Sequence, residues 1–206
     1  DPLSEKYYEI SDYVYCGNNP VKFVDKDGKE IGWPEELLFA ILHPSIALDI
    51  GKYNKNHELT NISNTAGNFS INLTKDSKVL QKEEIEPNRN AMRHIIWQAI
   101  ITQEYGQEIA KKVGDAHEDN SNIRKFNNSQ KTFDKREDAD AVVDLFNNVI
   151  GRDIGESMGK NAYKKEIVGQ ILNKALSSGY WVVSPVKGGF TIMRNKISQK
   201  EYNETR

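Results

Sequence analysis

The run Ala91-Met92-Arg93-His94-Ile95-Ile96-Trp97-Gln98-Ala99-Ile100-Ile101 is the feature that most constrains this chain. Read as a helix over residues 90–113, it leaves almost no polar face in its middle. A helix apolar all round is buried all round, so others must pack against it on every side. Asn90 reads as its N-cap and Gly114 as its stop.

The neighbouring segments supply those partners. Residues 34–50 open with Pro34, Glu35 and Glu36 and carry Leu37, Leu38, Ile41 and Leu42 at helical spacing. Pro44 interrupts that run, which predicts a kink or two short helices. Ala139, Val142, Val143, Phe146, Val149 and Ile150 recur at three- and four-residue steps, predicting a helix over 137–150. Ile167, Ile171, Leu172 and Ala175 predict another over 160–177. Residues 51–75, with six Asn, and residues 119–135 read as loops, and the tail 194–206 as frayed. Tyr180–Val183 and Phe190–Met193 flank Lys187-Gly188-Gly189 as a hairpin. The expectation is a mainly α fold, a helical domain around a central buried helix (about 90–113). Small β-hairpins lie toward the N-terminal end (about 12–32, closing at Lys26-Asp27-Gly28) and the C-terminal end (about 180–193).

Composition removes several function classes. Lys and Arg number 28 against 30 Asp and Glu, a net charge of −2, so no global field favours nucleic acid or an anionic membrane. Cys16 is alone, which excludes an intrachain disulfide scaffold and a Cys-based zinc cage. No apolar run approaches the ~18–20 residues of a membrane span. The sequence lacks His-Glu-x-x-His, Gly-x-Ser-x-Gly, a P-loop and Gly-x-Gly-x-x-Gly, which disfavours a zincin, an α/β-hydrolase, a nucleotide triphosphatase and a Rossmann enzyme.

Three polar clusters stand out. Asn90, Arg93, His94 and Trp97 share one side of the central helix. Asp115-Ala116-His117-Glu118 follows it, and Asp140, Asp144, Asn147, Asn148 and Arg152 stripe the later one. Each has a structural reading. His94 can be a satisfied core histidine, Asp115 and Glu118 have the form of a capping box, and the Asp140/Asp144/Asn148 stripe can be a solvated helix face. Gly151 and Gly155 either end a helix or permit close packing. The chemical readings are two. In one, His94, His117 and Glu118 or Asp144 hold a divalent ion with a water in the open position. In the other, His94 or His117 is a general base, Glu118 or Asp144 orients it, and Arg93 or Arg152 steadies negative charge. His117 and Glu118 are adjacent and cannot both point inward from a regular helix, which counts against using both.

Residues 1–28, with Asp1-Pro2-Leu3, Tyr13-Val14-Tyr15-Cys16-Gly17-Asn18-Asn19-Pro20-Val21 and Asp25-Lys26-Asp27-Gly28, resemble the end of the Rhs/YD-repeat associated core. The opening also lacks a Met start, a basic n-region and an apolar h-region, and reads as the continuation of a longer protein. The resemblance implies a β-shell enclosing a variable C-terminal domain, commonly a toxin, here from about residue 31 to 206. Asn90-Ala91-Met92-Arg93-His94-Ile95-Ile96-Trp97, Ala116-His117-Glu118 and Asp144-Leu145-Phe146-Asn147-Asn148-Val149-Ile150-Gly151-Arg152 are similar to a family of bacterial C-terminal domains found on Rhs and wall-associated proteins. That likeness, over about 34–193, implies an address and no reaction. It carries Asn90 where Asp is common and Phe146 where His is common. The expectation is a secreted or cell-surface-delivered effector, a hydrolase of phospholipid, cell wall or nucleic acid, with a cognate immunity protein and the parent Rhs shell as partners. His94, His117, Glu118, Asp144 and Arg93 would be catalytic. Asn90, Trp97, Asn147, Asn148 and Arg152 would bind. The cofactor is open, a divalent metal being one option. The alternative is a non-catalytic helical interaction module whose polar clusters are a structural network; a metal-dependent nuclease is a third reading.

Overall fold

The computed structural model describes residues 24–25, 31–32, 35–54, 61–76, 85–118, 132–160 and 162–205. The fold is mainly α. In chain order it runs β1 (Val24–Asp25), β2 (Ile31–Gly32), α1 (Glu35–Leu42), α2 (Pro44–Ile50), α3 (Ile62–Asp76), α4 (Ile85–Tyr105) and α5 (Gln107–His117). It continues with β3 (Thr132–Phe133), α6 (Arg136–Met158), α7 (Lys164–Ser177), β4 (Tyr180–Val186), β5 (Gly189–Asn195) and α8 (Gln199–Thr205). β1 and β2 pair antiparallel, Val24 against Gly32. The rest of the expected N-terminal hairpin, and the Rhs-like residues before it, lie outside the described residues.

α4 is the central helix. Met92, Ile95, Ile96, Ile100 and Ile101 are fully enclosed, packed among α3, α6 and α7. Two details differ from the sequence reading. The helix starts five residues before Asn90, with Pro87 in its first turn, where a missing N–H costs nothing. And the run to 113 is two helices. Gly106, at φ 88° and ψ 163°, leaves the helical path, and Ala110 N–H then bonds to Gly106 O at 3.1 Å to start α5. That positive φ suits a residue without Cβ. Gly114 is therefore no stop. It is buried inside α5 against Gln98 and Asn148. Asp115 lies in α5 as well and pairs with Lys111 one turn back, so Asp115-x-x-Glu118 is not a capping box.

The polar stretch read as a loop contains α3. Asn61 caps it by accepting the Asn64 N–H on Oδ1 at 2.7 Å. Ile62, Ala66 and Leu73 form its buried stripe, a period masked by interspersed Asn residues. The tail likewise holds α8, where Tyr202 Oη donates to Asn173 Oδ1 at 2.7 Å, and Ile197 just before it is buried. Pro44 separates α1 from α2, as expected. β4 and β5 form the C-terminal hairpin, and β3 adds a third strand along β5 in the order β3-β5-β4. This sheet, with Phe133, Val142, Val143 and Val183, makes a second core cluster. Val149, expected to face a core, is exposed.

α6 runs well past residue 150, and Gly151 and Gly155 lie inside it. A Cβ on Gly151 would come within 2.4 Å of Ile95 O, and one on Gly155 within 2.4 Å of Ala99 O. Close packing, not helix ending, is their role. Here α6 lies directly on the backbone of α4.

Candidate active site

α4 and α6 run in the same direction with a constant offset. Asn90 Nδ2 donates to Asp144 Oδ1 at 2.7 Å, His94 Nδ1 meets Asn148 Oδ1 at 3.1 Å, and Arg152 NH1 donates to Gln98 Oε1 at 3.1 Å. Each pair is 54 residues apart. Positions 90, 94 and 98 face 144, 148 and 152 because a four-residue step nearly completes one helical turn. The Asp144/Asn148 stripe is thus a buried face against α4, not a solvated one. Gln98 belongs to the same row and was hidden in the sequence by its isoleucine neighbours.

Arg93 donates to Asn90 Oδ1, extending the row toward solvent. On the other side of the His94 ring, Nε2 lies 3.4 Å from Asp144 Oδ2. Glu118 reaches the same ring, with Oε1 3.6 Å from Nδ1. His117 sits alongside, its ring centroid 5.9 Å from that of His94. The adjacency problem of His117 and Glu118 disappears because α5 ends there. Glu118 is its C-cap at φ −93° and ψ 16°, so the two side chains leave the helix in different directions and converge on His94. His117 Nδ1 meets Glu36 Oε1 of α1 at 3.2 Å. In the sequence Glu36 is only an acid of a helix's first turn; nothing local marks it, since 81 residues separate the pair.

Burial sets the charge states. It is the main cause that pushes the His94 imidazole down to about 3, helped by the Arg93 guanidinium. Burial, then the nearby Asp144, pushes the Glu118 carboxyl up to about 8. Burial likewise pushes Asp144 up to about 7, against the pull of the Asn90 hydrogen bond and Arg93. At neutral pH His94 is therefore neutral and Glu118 mostly protonated. A neutral ring that donates from Nδ1 to Asn148 Oδ1 turns its Nε2 lone pair to Asp144. Glu118 Oε1 is enclosed and has no hydrogen-bond partner among the described residues.

This cluster opens on a cavity of about 500 Å³. Phe39, Ala40, Ala47, Ile50, Trp97, Val113 and Ala116 form apolar walls, and Glu36, Lys52, Arg93, His94 and His117 supply polar groups. Trp97 is held by its Nε1–H, which donates to Ser63 Oγ at 3.1 Å, while Ser63 Oγ donates to Gly51 O at 2.9 Å. His94, His117, Glu118, Asp144, Arg93, Asn90, Asn148 and Trp97 are thus brought together. Glu118 and Asp144 stand behind His94 and do not line the cavity. His94, His117 and Glu118 offer ligand atoms within 4.8 Å of one another and are, among the described residues, the group able to hold a cation.

Two expected binding residues lie elsewhere. Asn147 exchanges hydrogen bonds with the Trp181 backbone, Nδ2 to O and N to Oδ1 both at 2.9 Å, and staples α6 to β4. Arg152 is buried one turn beyond His94, on Gln98. Phe146, a departure from the expected pattern, packs its ring 5.1 Å from Trp181 in the second core cluster and is no part of the site.

The family described as Domain of unknown function (DUF6973) matches residues 53–180. That span holds the whole α4–α6 row, His117 and Glu118, whereas α1 and α2, which wall the cavity, precede it. No curated protein and no solved structure matches the chain. Among the described residues no helix is long and apolar enough to cross a membrane.

Proposed function

For a chain that belongs to the DUF6973 family, we propose a hydrolase of the effector type, acting at the His94/His117/Glu118/Asp144 cluster. One observation carries the reading. Three segments distant in sequence gather two imidazoles and the Arg93 guanidinium on the wall of a largely apolar cavity, with the carboxyls of Glu118 and Asp144 enclosed behind the His94 ring. His117 has the bearing of a proton acceptor. With Glu36 accepting Nδ1–H, its Nε2 points inward. A water whose proton passes to Nε2 attacks the substrate's carbonyl carbon or phosphorus, and the proton then goes to the leaving group. Arg93, which lines the cavity, lies where it can steady the oxyanion. Hydrophobic walls favour an acyl lipid ahead of cell wall, and the net charge of −2 places nucleic acid last. The Rhs-like opening supports delivery from a bacterial surface with an immunity protein as guard.

The test is expression of the chain in the cytoplasm and, separately, in the periplasm of a bacterial host, with lipid extracts, peptidoglycan and nucleic acid analysed for cleavage. Growth arrest with one class degraded, both lost in His117→Ala and Glu118→Gln, is the expected result. Unimpaired growth in both compartments with all three classes intact sinks the proposal. A second reading, an interaction module, draws support from Asn147 and Arg152, polar groups of the same helix that serve packing alone.

A further inference from the structure

We propose that His94, His117 and Glu118 form a centre for a divalent transition-metal cation of the zinc class, an inference that rests on the hydrolase reading of the same site. The donor set is two imidazole nitrogens and one carboxylate oxygen, a set that binds catalytic zinc with a position left for water. His94 Nδ1 lies 3.6 Å and His117 Nε2 4.0 Å from Glu118 Oε1. Donors around a tetrahedral ion with ~2.0–2.1 Å bonds stand about 3.3 Å apart, so these two pairs close by less than 1 Å, and all three donors already lie within 4.8 Å of one another.

The independent observation is Glu118 itself. Its side chain is only 10 % exposed, yet Oε1 has no hydrogen-bond partner among the described residues. An enclosed oxygen left unpaired is costly, and a cation between it and the two rings would satisfy it. The outer groups fit as well. Metal-bound histidines usually donate their other ring N–H to a carboxylate or carbonyl. His117 does so through Nδ1 to Glu36 Oε1 at 3.2 Å. His94, bound through Nδ1, carries its proton on Nε2, which faces Asp144 Oδ2 at 3.4 Å. Asp144 is held in turn by Asn90 Nδ2 at 2.7 Å. An ion on Nδ1 displaces the hydrogen bond to Asn148 Oδ1, 3.1 Å away, so the Asn148 amide turns aside to admit it. His94 and His117 both line the cavity, so the open position faces it. A bound ion would lower the pKa of its water, whose proton would then be lost to solvent, and His117 would serve as a ligand instead of the proton acceptor.

The experiment is calorimetric titration of the chelator-stripped 206-residue chain with Zn²⁺, paired with thermal unfolding and the hydrolysis assays. One equivalent should bind saturably and raise the unfolding midpoint. His117→Ala and Glu118→Gln should each weaken binding at least tenfold, while His43→Ala, outside the cluster, binds like the parent. Should His117→Ala fold poorly, Glu118→Gln carries the comparison. No saturable binding, or equal affinity in Glu118→Gln and the parent, overturns the centre. If stripped protein hydrolyses its substrate at full rate and takes up no Zn²⁺, the metal centre falls and the hydrolase stands. Saturable, ligand-dependent binding with no hydrolysis supports the centre and sinks the hydrolase.

Discussion

The α4–α6 seam has two sides that share one geometry and differ in everything else. On one side Gly151 and Gly155 bring α6 against the carbonyls of Ile95 and Ala99, with no room for a methyl group. On the other, Asn90, His94 and Gln98 face Asp144, Asn148 and Arg152 through side-chain hydrogen bonds. The first side sets spacing and register by contact. The second uses that register to enclose polar side chains, among them Gln98 Nε2 and Asn148 Nδ2, which have no hydrogen-bond partner among the described residues. A close-packed seam thus holds a polar row whose hydrogen bonds are only partly satisfied among the described residues. Substitutions on the two sides should therefore separate stability from function.

The largest loss of stability is expected from Trp97→Ala, beside the polar row. Its ring is 9 % exposed and anchored to Ser63, so removal should cost roughly 3–5 kcal/mol in denaturant unfolding. A loss below about 1 kcal/mol would show that the cavity wall is not packed around it.

Gly155→Ala comes next and is a test of sign. Helix propensity alone makes Ala better than Gly by about 1 kcal/mol. A Cβ 2.4 Å from Ala99 O must instead push the helices apart, at a cost of about 1–3 kcal/mol. Stabilisation by this substitution would remove the close seam from the argument. A shifted seam should also lower activity, because the polar row depends on its register.

The smallest stability effects are expected at the cluster itself. His117→Ala removes a half-exposed ring and should change unfolding free energy by less than about 0.5 kcal/mol. Glu118→Gln removes an acid whose ionised form burial disfavours, and should leave the unfolding midpoint unchanged or slightly raised. Both should abolish hydrolysis. If Glu118→Gln instead destabilised the protein by more than about 2 kcal/mol, beyond an ordinary substitution, Glu118 would be structural.

Much of the frame is legible in local pattern. The apolar run after Asn90 announces a buried helix, and Pro44 announces a break. The even-tempered spacing of Val142, Val143, Phe146 and Ile150 announces α6. Legibility fails where context outweighs pattern. α3 is hidden because its buried face includes Asn64 and Ser70 beside Ile62, Ala66 and Leu73. Gly106 and Gly114 look alike in sequence, yet one breaks a helix and the other packs inside the next.

Residue chemistry along the chain determined which groups were available: one histidine within the buried helix and one at the end of the next, a row of Asn and Asp at four-residue steps, one guanidinium beside them. Their partners were a tertiary decision. Asn147 and Asn148 are adjacent and chemically identical, but about 100° of helical rotation sends one to the Trp181 backbone and the other to His94. Glu36 meets His117 across 81 residues of chain, a pairing no local rule contains. Side-chain identity travels with the sequence, whereas burial and neighbourhood, which set charge state and reach, exist only once the helices are packed.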